Sequence, residues 1–371
     1  MRFVFRSVLL SLSFGFLLGS PAIAGGSNDL VTIYIPAFNG PRELGLNVAT
    51  VLNLQIWRTL RMAAEHKTFG RGLVVWETQP LTSQSFESAD ELARVGLDLS
   101  DGKRVYPQLV FWGNTREFGG GIVVECFLSI PPSYTGNARD KWAVTIHKDG
   151  IDHHIHADLP QRRYEFSTIT LSKDLVDTYS KPTALQIYPT RDAKYPIGSV
   201  GKTYEARQQL DGWVLLESDG LVGWVPLPKL SKNRNELVDF VGGVIRILRS
   251  DWNGANALFE KVVRNAQAPS ALKVDALLYQ VMAKSKAGQN PEETLQLVRH
   301  LAPFYRATTM YSVMSKLDAM SRTASEGHPN KGTKTIIQQI ETELSDGQQL
   351  FLPDDPWLTA VIQLLHTLRT G

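Results

Sequence analysis

Four of the eight histidines in this 371-residue chain fall within ten positions of one another, in the stretch "KWAVTIHKDGIDHHIHADL". Alternate side chains of a strand share a face, so His154, His156 and Asp158 would project together, and His147 could face them across a hairpin. That would bring up to four nitrogen or oxygen ligands to a divalent metal. With His153 as a further member, the cluster could serve a metal-dependent envelope hydrolase. The same residues also suit a polar strand edge carrying solvated imidazoles, and their spacing lacks the fixed geometry of a helical His-Glu-x-x-His motif.

A second chemical signal is aromatic. "DGWVLLESDGLVGWVPLPKL", residues 211–230, contains Gly-Trp-Val twice, and Tyr188 and Tyr195 precede it. Tyr188, Tyr195, Trp213 and Trp224 are the candidates for a ligand groove. Both tryptophans also suit a structural role, in which each Gly-Trp-Val starts a strand after a turn and the ring covers the end of a small core. Truncating either ring is then expected to unfold the segment. Two further features are structural. Cys126, the only cysteine, lies in the apolar run "IVVECFLSI", which reads as a buried residue and allows no internal disulfide. Gly119-Gly120-Gly121 leads into that strand and not into a helix, so it reads as a hairpin turn instead of a phosphate cradle. No paired carboxylates, Ser-His-Asp order, nucleotide loop or Cys-His signature stands out. Binding or scaffolding without a cofactor is therefore expected ahead of catalysis.

The elements that would position these residues can be read in order. Residues 1–24 have a charged start (Arg2, Arg6), an apolar run "VLLSLSFGFLLG" and the small-residue site Ala22-Ile23-Ala24, the pattern of a signal peptide cleaved near Ala24. The expected location is periplasmic or secreted, with no stable membrane insertion after cleavage. Without Arg2 and Arg6, 37 basic residues balance 37 acidic ones. Such a balance gives no electrostatic reason to expect nucleic acid as a partner. Residues 29–175 read as strand ("VTIYIPAF"), helix (45–64), strand ("GLVVWET"), a shorter helix with Ser88 as N-cap and Glu91 completing a capping box, and a hairpin over "PQLVFWGNTREFGGGIVVECFLSI". This is a small α/β layer domain, and "KWAVTIHKDGIDHHIHADLPQRRYEFSTITL" adds a second hairpin or β appendage. Residues 182–230 hold four or five short strands, expected to curl into a small β-barrel. Residues 235–371 turn helical, with Asn253 and Asn290 marking a 37-residue repeat and further helices over 309–322, 333–345 and 355–369. The expected fold is multidomain α+β, ending in α-helical hairpins whose stacking leaves a curved surface for a partner.

Three resemblances go with these segments. The opening strand ending in Pro36-Ala37-Phe38, the long helix after it and Phe111-Trp112-Gly113 resemble the amino-terminal domain of TolB-like periplasmic proteins, although "LDLSDGKRVYPQ" is a longer connection than that pattern has. The closing "DGWVLLESDGLVGWVPLPKL" and the earlier "IGSVGKTYEA" resemble a bacterial Src-homology-3-like domain. The helical region is similar to a degenerate tetratricopeptide repeat lacking the small-large signature of its first helix. Together they imply a non-enzymatic scaffold whose partners are envelope proteins or peptidoglycan peptides, and they leave its oligomeric state open.

Overall fold

"VTIYIP" is rich in β-branched and aromatic residues and forms β1 (Val31–Pro36), buried along its whole length. The computed structural model describes residues 31–59, 72–77, 81, 83–98, 104–132, 141–178, 185–201, 203–210, 212–226, 236–325 and 332–370. The expected signal peptide lies outside them. After β1 come α1 (Arg42–Thr59), β2 (Gly72–Glu77), α2 (Phe86–Val95), the two short strands β3 (Leu97–Asp98) and β4 (Arg104–Val105), then β5 (Leu109–Phe118) and β6 (Gly121–Ser129). β1 pairs in parallel with β2 on one side and with β5 on the other. Parallel neighbours need a crossover, and α1 supplies the one between β1 and β2. Ile33, Ile35 and Phe111 face α1, through Val48, Val51 and Leu52 among others. Tyr34, Val110 and Trp112 face α2 on the opposite side. The odd and even residues of one strand thus feed two apolar layers.

The helix over 86–95 starts three residues earlier than expected. Ser85, not Ser88, is its N-cap, and Ser85 Oγ accepts a hydrogen bond from the Ser88 amide. Glu91 is therefore too far along the helix to close a capping box and pairs instead with Arg94. Gly119 and Gly120, both at positive φ, form the β5–β6 turn, as their composition indicates.

β7 (Lys141–Lys148) and β8 (Ile151–Asp158) form a two-stranded appendage that, among the described residues, pairs only within itself, while β9 (Arg163–Glu165) and β10 (Ile169–Ser172) extend the main sheet by pairing with β6. α3 (Lys173–Thr178) follows. Next come β11 (Gln186–Ile187), β12 (Gly198–Ser199), β13 (Thr203–Leu210), β14 (Trp213–Ser218) and β15 (Leu221–Pro226). The expected barrel is not closed among the described residues. β13 runs antiparallel to β2, from Thr203 opposite Val75 to Ala206 opposite Gly72, so β13, β14 and β15 continue a nine-stranded sheet. An unpaired sheet edge seeks a neighbouring strand, and β2 offers one that a local reading of residues 182–230 does not contain.

Seven helices complete the mixed α+β fold: α4 (Glu236–Leu248), α5 (Trp252–Arg264), α6 (Ser270–Lys286), α7 (Glu292–Leu301), α8 (Arg306–Ser325), α9 (Thr333–Asp346) and α10 (Pro356–Thr370). Consecutive helices from α4 to α9 touch one another, α6 also touches α4 and α8, and the two asparagines of the 37-residue repeat lie at the start of α5 and just before α7. There Gln289 donates to Asn253 at 3.1 Å. A curved surface left free for a partner is expected of stacked helical hairpins; α4 and α8 are in part covered by the chain itself. α4 packs on α1, and α8 packs on β7 and β8. Lys286 donates to the Ala143 carbonyl at 2.7 Å, and Tyr311 to that of Asp158 at 3.2 Å. One apolar core consequently runs from Val31 to Leu365 across the boundaries expected near residues 175–182 and 230–235.

Candidate functional site

The Gly-Trp-Val repeat folds into a single hairpin. Asp219 and Gly220, both at positive φ, make its two-residue turn, the geometry that suits the twist of antiparallel strands. Alternation then sorts the side chains. Val214, Leu216 and Val225 turn into the core, while Trp213, Leu215 and Glu217 lie half-buried on the other face with Trp224. Leu215 pairs directly with Trp224, and Trp213 with Pro226. The two glycines differ in their reasons. Gly212 adopts φ +81° in the turn before β14. Gly223 lies inside β15, where a Cβ would come within 2.5 Å of the Tyr188 carbonyl oxygen. The second Gly-Trp-Val thus does not start a strand.

What presses on Gly223 is a strap, residues 185–200, anchored by the buried Leu185, Ile187 and Val200. Tyr188 exchanges two backbone hydrogen bonds with Trp224, at 2.8 and 2.7 Å. Its ring stands edge-on to Trp213 at 5.8 Å, and its hydroxyl donates to Gln186 at 3.1 Å. The guanidinium of Arg191 lies 5.6 Å from the centre of the Trp224 ring, within cation–π range. Close to it, the Thr190 hydroxyl and a backbone amide hold the Asp192 carboxyl below its ordinary range. Three of the four candidate groove residues, Tyr188, Trp213 and Trp224, therefore share one face. Tyr195, 81% exposed, makes no ring contact with them. The expectation that both tryptophans are core is not met, because their strand positions point outward. Arg191 carries no chemical motif of its own in the sequence. Its signal is a cation in the turn between the two tyrosines.

The histidines are arranged differently. The inner face of the β7–β8 hairpin, with Trp142, Val144, Ile146, Ile155 and Ala157, is buried, and Trp142 meets Tyr311 edge-on at 5.1 Å. Register places His147 opposite Asp152 and puts Asp158 at the far end, opposite Lys141. Six residues at about 3.3 Å each separate Asp152 from Asp158, roughly 20 Å, so His147 and Asp158 cannot share an ion. His147 Nδ1 bonds Asp152 at 2.9 Å, and His154 Nδ1 lies 3.0 Å from the Thr145 hydroxyl. His154 and His156 stack at 6.5 Å, and burial with the nearby charge of Lys141 lowers the His156 pKa. A neighbouring lysine also repels a metal cation. His153 occupies the alternate position, with Nε2 buried. Among the described residues no three His, Cys, Asp or Glu side chains are placed to hold a metal ion. The expected set His147, His154, His156 and Asp158 does not assemble.

Cys126 is fully buried, and burial pushes its thiol well above the ordinary range, which leaves it unreactive. No helix among the described residues is long and apolar enough to cross a membrane. No protein-family model, curated protein or solved structure matches the chain.

Proposed function

We propose that this is a non-enzymatic binding or scaffolding protein of the cell envelope, exported to the periplasm or secreted, which engages partner proteins or cell-wall peptides through the face built by Tyr188, Trp213, Trp224 and Arg191. One observation carries the reading. Half-buried aromatic rings and a cation converge on the outer side of strands whose inner side is locked into the core. Aromatic rings with a polar rim on a rigid scaffold are the usual means of gripping a peptide. The parts of α6 and α8 around Lys286 and Tyr311 are already bonded to the β7–β8 hairpin, which leaves them unavailable to a partner. In this reading residues 182–230 act as a Src-homology-3-like module that has joined its sheet to a TolB-like α/β unit. The helices are a degenerate tetratricopeptide array used as a brace. The test is a titration of peptidoglycan fragments, and of peptides recovered from an envelope pull-down, against the intrinsic tryptophan fluorescence of the full chain. Saturable quenching that disappears in Trp224→Ala, with the far-ultraviolet spectrum unchanged, is expected. Binding that survives loss of Trp224, Trp213 and Arg191 together would overturn the assignment of this face.

A further inference from the structure

Where the segment after β8 meets the helices, a buried carboxyl and a set of phenols lie across the seam. Asp275, on α6, is 4% exposed. Tyr305, just before α8, places its hydroxyl 3.3 Å from Asp275 Oδ1 and 2.9 Å from the carbonyl oxygen of Pro160. We propose that Asp275, Tyr305 and the Pro160 carbonyl form a proton-dependent latch between the helices and the β7–β8 hairpin, closed while Asp275 carries a proton and slackened when it ionises.

The argument is a proton count. A tyrosine hydroxyl has one hydrogen to donate, and here two acceptors lie within reach. When the carboxyl is protonated it donates to the Tyr305 oxygen, Tyr305 donates to Pro160, and both bonds are made. When the carboxyl is ionised it becomes an acceptor only. It then draws the Tyr305 hydrogen, because hydrogen bonds to a charged group are the stronger ones. The Pro160 carbonyl is left facing a hydroxyl that no longer donates to it, inside a seam where an unmet acceptor is costly.

The surrounding groups leave Asp275 as the one that switches. Tyr279, one turn further along α6, Tyr164 on β9, Tyr311 on α8 and Tyr305 itself are phenols that burial pushes up, so they stay protonated. Tyr164 bonds the Gln161 carbonyl at 2.9 Å and meets the Tyr279 hydroxyl at 3.4 Å, and Tyr311 donates to the Asp158 carbonyl. Arg162 faces Tyr279, but its guanidinium bonds the Ile130 carbonyl and the Asp158 carboxylate, the other charge at the seam. Burial pushes the Asp275 carboxyl up to about 7, so the geometry switches near neutrality.

Hydrogen–deuterium exchange on the full chain, corrected for intrinsic pH effects, tests the latch. In the wild type, protection of residues 158–166 and 303–312 is expected to fall at least fivefold between pH 5.5 and 8.5, with a midpoint near 7, while residues 213–226 stay constant. Asp275→Asn cannot ionise, and its amide can still donate to Tyr305, so its protection should be flat and high. Tyr305→Phe should be flat and low. A wild-type profile without a pH response, or the same response in Asp275→Asn, would overturn the latch. Should either variant fail to fold, the wild-type contrast between the seam and residues 213–226 decides the question alone.

Discussion

The β7–β8 and β14–β15 hairpins are built alike and end differently. Each buries one face and turns a row of chemically capable side chains outward, histidines on the first and tryptophans on the second. On the histidine hairpin His147 bonds Asp152 and His154 bonds Thr145, each with its own neighbour, and no three ligands converge. On the tryptophan hairpin the strap brings Tyr188 and Arg191 onto the same rings. A strand alone spreads its side chains along a line at spacings too wide for a shared ligand. A second element laid across it makes a site.

Removing what holds each hairpin in place should give the largest effects. Trp142→Ala empties the contact of the histidine hairpin with Tyr311 and is expected to cost about 3–5 kcal/mol in chemical denaturation of the full chain. A loss under about 1 kcal/mol would mean that the helices do not depend on that hairpin. Raising the pH should act on the same side of the molecule. The unfolded Asp275 carboxyl ionises near 3.8 and the folded one near 7, so between these values the folded chain holds an extra proton and stability falls as pH rises. The full shift corresponds to about 4 kcal/mol, a ceiling because local opening lets the carboxylate reach water. Asp275→Asn should match the wild type near pH 4 and exceed it above pH 7 in parallel melts.

The tryptophan side should respond more gently. Gly223→Ala drives a Cβ into the strap and should cost about 2 kcal/mol, with loss of the tryptophan fluorescence response to ligand. Trp224→Ala removes a half-buried ring and should cost about 1 kcal/mol while abolishing binding. His154→Ala, on the exposed face, should stay within about 0.5 kcal/mol. A metal-dependent rise in melting temperature lost in that variant would instead restore the histidines as a site.

What the sequence made legible was local. The β-branched run of β1, the glycine turn between β5 and β6 and the helical spacing from residue 236 onward each carry their signal within a few turns of chain. The start of α2 is ambiguous by sequence because Ser85 and Ser88 are equally good caps by type, and only the backbone geometry selects the first. A closed barrel is what residues 182–230 suggest locally, whereas the pairing of Thr203 with Val75 is a long-range choice with no local marker. Of the candidate groove, Tyr188, Trp213 and Trp224 could be found by residue type. Their outward direction depends on where each strand begins, and Arg191 is marked only by lying in a turn between aromatics.

That β2–β13 pairing also sets an order of events. Roughly 130 residues separate the two strands, so their ladder can close only at the cost of a long loop, after most of the chain exists. Until then the outer edge of β2 presents unpaired backbone groups in a chain synthesised from its amino terminus, and α1 waits still longer for α4 to cover it. Non-local contacts of this kind slow folding and lengthen the time during which a strand edge can pair with the wrong neighbour. Production of this protein should therefore be limited by aggregation of incomplete chains, and truncations that stop before residue 203 should be the most prone to it.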